Sequence, residues 1–366
     1  MKPFLYSIAL LSGTIIGVGL FSLPYIAMRN GIFLTLAYLL FLGFIAIVVH
    51  RFFCEVSLKT PDFLRLSGFA KIHLGTLGEK VALGSTIFGF FGAIIAYLIV
   101  GGEFLRELLQ PLLGGSDILY TFFYFFFGAI LIYFGVKAIS KVELFGLILF
   151  FLLLVILSFK GSYSFDLNNL NLFPKGGSFF LPYGAVLFSL WGASLIPEAE
   201  EMLGERKKIL KKIIPFAILI PIIIYIIFIF LVVGISGSET TQSSLVGLKT
   251  FISSEVFRIF LIFGILATFT SFISIGLTLK KVFCYDLKIR KDLSWAITCF
   301  LPFFLFLMGI RSFIDVIGLV GGVAMGIDAI LILLMYRKIK KSFAVFPLMA
   351  IFLGGIIYEV INFLKW

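Results

Sequence analysis

The chain has 366 residues, of which 61% are hydrophobic, 17% aromatic and only 13% charged. No soluble fold buries that share of apolar surface, so the composition excludes a soluble globular domain and points to a polytopic, all-α membrane protein. The formal charge of +11 does not indicate nucleic acid, because the Lys and Arg residues lie in short loops between apolar runs, where they orient a chain in the bilayer.

Eleven membrane spans are predicted. The first, about Phe4–Met28, is too long for a cleaved leader and has no small-residue cleavage site. Inside it lies Ser12-Gly13-Thr14-Ile15-Ile16-Gly17-Val18-Gly19, with Pro24 soon after. Each glycine weakens a helix by roughly 1 kcal/mol relative to Ala. Gly13 and Gly17 alone fit close helix packing, but with Gly19 and Pro24 they predict an interrupted helix. Broken backbone at membrane depth is tolerated only where it is buried in protein or lines a cavity.

The second span is about Gly31–Phe53, followed by a polar loop from Glu55 to Lys80. The third runs from about Val81 to Leu105 and the fourth from about Ile118 to Val136. A link at Lys137–Lys141 leads to the fifth, about Val142–Phe159, and a longer loop carries Asn168, Asn169 and Asn171. The sixth span, about Phe179–Leu203, holds Ser189-Leu190-Trp191-Gly192-Ala193-Ser194 at its centre with Pro197 just beyond, which predicts a second break. The seventh is about Ile213–Ile235. Ser243–Ser254 is expected to lie along the membrane surface. The remaining spans are about Val256–Cys284, Ser294–Ile310, Phe313–Tyr336 and Phe343–Leu364.

Lys and Arg set the orientation. With the N-terminus inside, 22 of the 30 fall on inner segments, with clusters at 206–212, 280–291 and 337–341. The expectation is a cytoplasmic-membrane protein with its N-terminus in and its C-terminus out. Cys54, Cys284 and Cys299 lack metal-ligand spacing and read as reduced structural thiols.

The two breaks lie five spans apart. Five is odd, so spans one to five and six to ten (repeats of about 1–160 and 178–342) have opposite orientations. Discontinuous helices at equivalent places in inverted repeats are the pattern of a secondary transporter, with its site near the midplane. The expected core covers 1–342, and 343–366 is an added eleventh helix.

Several stretches carry a family resemblance. Gly13-Thr14-Ile15-Ile16-Gly17-Val18-Gly19-Leu20-Phe21-Ser22-Leu23-Pro24-Tyr25 resembles the first helix of the amino acid/auxin permease family. That family belongs to the amino acid–polyamine–organocation superfamily, with the leucine-transporter type of fold. Ala96 to Gly102 resembles its third helix, Leu187 to Glu198 its sixth and Thr270-Ser271-Phe272 its eighth. The loop from Glu55 to Pro61 fits as well. The resemblance implies cation-coupled amino acid transport by alternating access, not enzymatic activity.

A zwitterion needs donors for its carboxylate. The N–H groups of Gly17, Val18 and Gly19 would supply them at the start of a half-helix. The ammonium would take carbonyls near Thr14 and Ser189, or the Ser189 hydroxyl. Tyr97 either closes over the substrate or anchors the bundle. Phe188, Trp191, Gly192 and Ser194 would shape the side-chain pocket. In the resembled fold, Thr270 and Ser271 face the end of the first half-helix. With the carbonyls of Thr14, Ile15 and Ile16 they would form an uncharged oxygen cage suited to sodium, the one cofactor-like ion expected and slightly favoured over protons. Asp328 in span ten is either a proton relay or a structural partner for a nearby Lys. Glu103 and Asp315 are expected to be solvated at outer ends. Glu198, Glu200 and Glu201 are either solvated or paired with Arg51 or Lys141 at an inner gate. The expected partners are an amino acid substrate and the lipid bilayer. The alternative is a transporter of the same fold for another small solute or a metal ion.

Overall fold

The computed structural model describes residues 2–60, 64–135, 139–173 and 178–364, with every side chain in them except those of 2–3, 139–147 and 149. Pro61, Lys137 and the side chain of Lys141 therefore lie outside the described residues. Among the described residues the chain is helical, with no strand. Helix α1 (Lys2–Ile15) and helix α2 (Leu23–Asn30) make the first span, joined through a 3-10 turn at Val18–Ser22 and bent by 43°. Spans two to five are α3 (Ile32–Lys59), α4 (Leu66–Leu113), α5 (Asp117–Phe134) and α6 (Ile139–Gly161). The sixth consists of α7 (Leu181–Leu190) and α8 (Ile196–Leu203), with a 3-10 turn at Ala193–Leu195 between them. Spans seven to nine are α9 (Leu210–Ser236), α10 (Ser254–Lys281) and α11 (Lys291–Leu307). The tenth joins α12 (Phe313–Leu319) to α13 (Gly326–Ile339) through a π turn at Val320–Met325, and α14 (Val345–Leu364) is the eleventh. The protein is a polytopic, all-α membrane protein.

The two broken spans share one local grammar. Each runs as helix, glycine break, 3-10 turn and a short helix with proline in its first turn, Pro24 in one and Pro197 in the other. Proline suits that turn because its missing N–H would have no helical partner there. Around the broken pair, α4 packs along α10 and span ten, and α9 packs along α1 and α3.

Two expectations change. The stretch from Glu55 to Lys80 is mostly helix, because Phe69 and Ala70 are buried and Phe69 meets the Phe53 ring edge-on at 5.4 Å. Its backbone leaves helical geometry at Gly75, where φ is +78°, a left-handed value that glycine adopts without strain. The stretch 243–254 does not lie along the surface as a whole. Ser243, Ser244, Leu245 and Leu248 are buried, and Ser244 Oγ donates to the Phe21 carbonyl at 2.5 Å. That stretch thus covers one side of the first break, where Phe21 packs edge-on against Phe104 (5.2 Å) and Phe228 (6.2 Å).

Candidate functional site

At the first break the ladder ends with Ile16 N–H donating to Ser12 O (2.9 Å) and Gly17 N–H to Ile15 O (2.8 Å). Gly17 is extended (φ −99°, ψ −155°), so its glycine identity answers to space and not to dihedral angle. A Cβ there would sit 2.7 Å from Tyr97 Oη. The Val18 N–H points at that same hydroxyl, at 3.5 Å. Such a long contact leaves a strong donor only weakly satisfied.

At the second break, Gly192 N–H donates to His50 Nε2 (3.0 Å), while His50 Nδ1 lies 2.7 Å from the Ala46 carbonyl. The amide is only a donor and the carbonyl only an acceptor, so the imidazole is neutral with its proton on Nδ1. Trp191 meets that imidazole edge-on, with centroids 5.1 Å apart. The breaks are tied together by Tyr225 of α9, fully buried, whose hydroxyl lies 2.6 Å from Ile15 O and 2.8 Å from Ser189 O. These carbonyls end the first half of each broken span. Tyr225→Phe removes the one proton that the two carbonyls share; Ile15 O keeps the Gly17 N–H (2.8 Å), so the loss is one bridging hydrogen bond, costing about 1–3 kcal/mol for the acceptor left unpaired. A lowered melting temperature with transport slowed by roughly tenfold or more is expected, measured on the purified variant and in liposomes. Unchanged transport would show that the bridge does not position the breaks.

A cavity of ≈ 1150 Å³, counted to its open end, lies between the breaks. Thr14, Gly17, Gly19, Tyr97, Phe188, Trp191 and Ser194 line it, so seven of the expected substrate residues share one space. Its apolar wall also includes Phe53, Phe90, Ala324 and Met325, and its mouth carries Arg65, Ser67, Glu198 and Asp286. The buried Thr14 hydroxyl has no hydrogen-bond partner among the described residues.

The other three expected residues are placed differently. The Val18 side chain is fully buried and only its N–H turns toward Tyr97. Ser189 Oγ donates to Ala185 O (2.7 Å), and its carbonyl faces Tyr225. Gly192 gives its N–H to His50 and packs against the Ile15 side chain.

The residues expected around a sodium ion fall into two separate spaces. Ile16, Thr270 and Ser271 line a second, smaller cavity with Gly13 and Thr268. Thr270 Oγ1 donates to Ala267 O (3.1 Å), which leaves its lone pairs toward other partners. Thr14 and Ile15 line the larger cavity instead, and the Ile15 carbonyl is taken by Tyr225. The lining of the smaller cavity is mostly apolar (Leu20, Phe21, Phe150, Phe263, Ala267), with the hydroxyl residues Thr268, Thr270 and Ser271 and no charged side chain.

Asp328 borders the large cavity and accepts a hydrogen bond from Ser85 Oγ of α4. The π turn just before it shifts the register of span ten, a device often found at functional sites. Glu103 bonds Ser243. Glu200 is buried and takes Ser57 Oγ and Lys207 Nζ (2.9 Å for the latter) as partners, rather than Arg51. Asp315 lines a small space with Glu359 of α14, a buried carboxylate that sequence reading did not single out. His50 and Tyr225 were also missed. Each is a polar group within an apolar run, the one signal that marks such residues along a chain.

Comparison with known proteins gives a consistent result. Glutamine transporter 2 of Aliivibrio fischeri is 22% identical over 347 residues, covering 92% of this chain and 89% of that protein. Tyrosine-specific transport system 1 of Haemophilus influenzae is 26% identical over 298 residues, covering 77% and 73%. Among solved structures, MhsT in complex with L-phenylalanine has a TM-score of 0.68 at 14% identity, covering 98% of both chains. The Eremococcus coleocola manganese transporter reaches 0.71 at 14% identity, covering 99% of this chain and 88% of its own. Mhp1, a nucleobase-cation-symport-1 family transporter, reaches 0.69 at 13% identity, covering 93% and 80%. These structures share the fold, the leucine-transporter type that the sequence motifs imply. The chain is a transporter and not an enzyme, and its match over residues 1–364 shows that it belongs to the tryptophan/tyrosine permease family.

Proposed function

We propose that the protein carries a large apolar or aromatic L-amino acid across the cytoplasmic membrane, coupled to a cation and by alternating access. The observation that carries this reading is the cavity between the two breaks. Gly17, Gly19 and Tyr97 line one end of it, with the weakly satisfied Val18 N–H directed at Tyr97 Oη, and its wall is built from Phe90, Phe188, Trp191 and Met325. A substrate carboxylate entering at Gly17–Gly19 takes the Val18 donor and draws in the Tyr97 phenol as a second one. The Thr14 hydroxyl, buried without a partner, turns to the ammonium end. The aromatic wall holds the side chain, as expected for a relative of tyrosine and tryptophan permeases.

The aromatic cluster of Phe21, Phe104 and Phe228 packs beside the first break, while the large cavity reaches Arg65 and Asp286 (3.5 Å apart) on the basic face. With the positive-inside orientation, N-terminus in and C-terminus out, this is an inward-open state. Coupling follows from Gly17, which borders both cavities, so an ion beside Ile16, Thr270 and Ser271 braces the backbone that binds the carboxylate. Sodium fits that uncharged donor set, and Asp328 is the group to test if protons drive transport. The likeness of spans one, three, six and eight to amino acid/auxin permeases fits common descent within one superfamily. Metal-ion transport has less support, since no group of three His, Cys, Asp or Glu able to hold a metal occurs among the described residues.

Liposomes carrying the purified protein test this reading. Labelled L-tyrosine, L-tryptophan, L-phenylalanine and L-glutamine are supplied under a sodium gradient and then under a proton gradient. Concentrative uptake of an aromatic amino acid is expected. Uptake of glutamine alone would overturn the aromatic assignment, and no uptake of any amino acid would overturn the substrate class.

A further inference from the structure

A groove remains where spans ten and eleven meet at the basic face, far from the transport cavity. Helix α13 ends at Ile339 and α14 begins at Val345, so five residues turn the chain back through the membrane. Arg337, Lys338 and Lys341 line a concavity of ≈ 1030 Å³, counted to its open side, between this turn and Leu74 of α4. Leu334, Phe343 and Phe346 give it apolar walls, and Ser342 lines it at the turn.

None of the three cations has an acidic partner among the described residues. The nearby Glu79 is committed to Lys71 at 3.0 Å. The Arg337 guanidinium lies over the Phe346 ring, 4.5 Å from its centroid, which orients the fork by its π face without using any N–H donor. A planar, oriented fork with unused donors matches a phosphate oxygen pair. Two flexible ammonium groups beside it add point charge.

The rim decides what kind of phosphate fits. Phe343, which lines the groove, is 91% exposed. Aromatic side chains exposed at the ends of spans rest among lipid chains and headgroups, and a soluble anion would have no use for them. We propose that this groove is a binding site for an anionic glycerophospholipid. Its phosphodiester would be held by Arg337, Lys338 and Lys341, and its acyl chains would run along the apolar faces of α13 and α14. Basic pockets between spans on the inner side bind such headgroups for this reason.

The test uses the full-length protein in detergent and native mass spectrometry. Palmitoyl-oleoyl phosphatidylglycerol is titrated in, with phosphatidylcholine of the same chains and inorganic phosphate in parallel. One tightly retained phosphatidylglycerol is expected, with phosphatidylcholine weaker. Near the surface each cation is worth roughly 1 kcal/mol, so the R337Q/K338Q/K341Q variant should lose roughly a hundredfold in affinity. A charge-matched variant, R206Q/K208Q/K212Q, should keep the tight lipid.

Equal retention of phosphatidylcholine would overturn the proposal. So would equal loss in the charge-matched variant, or inorganic phosphate competing at the lipid's own concentration. If the triple variant does not purify, Arg337→Lys and Arg337→Gln read the same site. Lysine should keep most of the affinity and glutamine about a fifth of it, and indifference to both would overturn the assignment.

Discussion

Gly19→Val is expected to abolish uptake while the protein still inserts and purifies. A Cβ at Gly19 would lie 2.5 Å from Ser189 Oγ and 2.9 Å from Ser189 Cα, with Phe188 Cδ1 at 3.1 Å. The hydroxyl can rotate away, but a backbone carbon cannot, so the first break must move off the second. Overpacking of this kind costs roughly 1–3 kcal/mol, which a fold of this size tolerates. A binding site does not, because a misplacement of about 1 Å in groups that must converge on one ligand is already severe. Gly17→Ala provides the contrast. Its Cβ meets Tyr97 Oη at 2.7 Å, the far end of a side chain that can swing. That variant should keep transport and raise the apparent KM for the substrate. Both are read by initial uptake rates in liposomes together with size-exclusion profiles. Normal uptake by Gly19→Val would show that close contact between the breaks has no part in transport.

Thr270→Ala combined with Ser271→Ala is expected to remove the sodium dependence of uptake and most of its rate, leaving folding intact. The Thr270 hydroxyl bonds only to a carbonyl of its own helix, one turn back, so losing it orphans no group on another span. What is lost is two of the three hydroxyl oxygens lining the smaller cavity, and the Thr268 hydroxyl alone should not hold a cation there with useful affinity. The measurement is uptake against external sodium at constant ionic strength and pH. If the unmutated protein ignores sodium and follows a pH gradient, the ion assignment fails. Asp328→Asn then becomes the decisive variant, since Asp328 is a carboxylate facing the substrate cavity, with Ser85 as its hydrogen-bond donor.

Much of this architecture was legible along the chain because it depends on local chemistry. Apolar runs long enough to span, and glycine next to proline within such runs, are properties of short segments. They were enough to place both breaks, at Gly17 and at Gly192, before any contact was known. The convergence of Gly17, Gly19, Phe188, Trp191 and Ser194 on one cavity followed from the two breaks meeting, while Tyr97 of span three, which also lines it, entered through the family resemblance.

What the tertiary structure alone decided was which way each group faces. Successive residues of a helix point about 100° apart, so neighbours in sequence enter different surroundings. Thr14 and Ile16 show this: the first lines the larger cavity and the second the smaller one, while between them the Ile15 carbonyl meets the Tyr225 hydroxyl. Sequence reading had grouped all three around one ion. The partners that hold the breaks, His50 to Gly192 and Tyr225 to Ile15, lie 142 and 210 residues apart. Nothing in the local pattern marks such pairs. A histidine or tyrosine in an apolar run announces that it needs a partner, and only the packing of α3 and α9 against the broken helices supplies one.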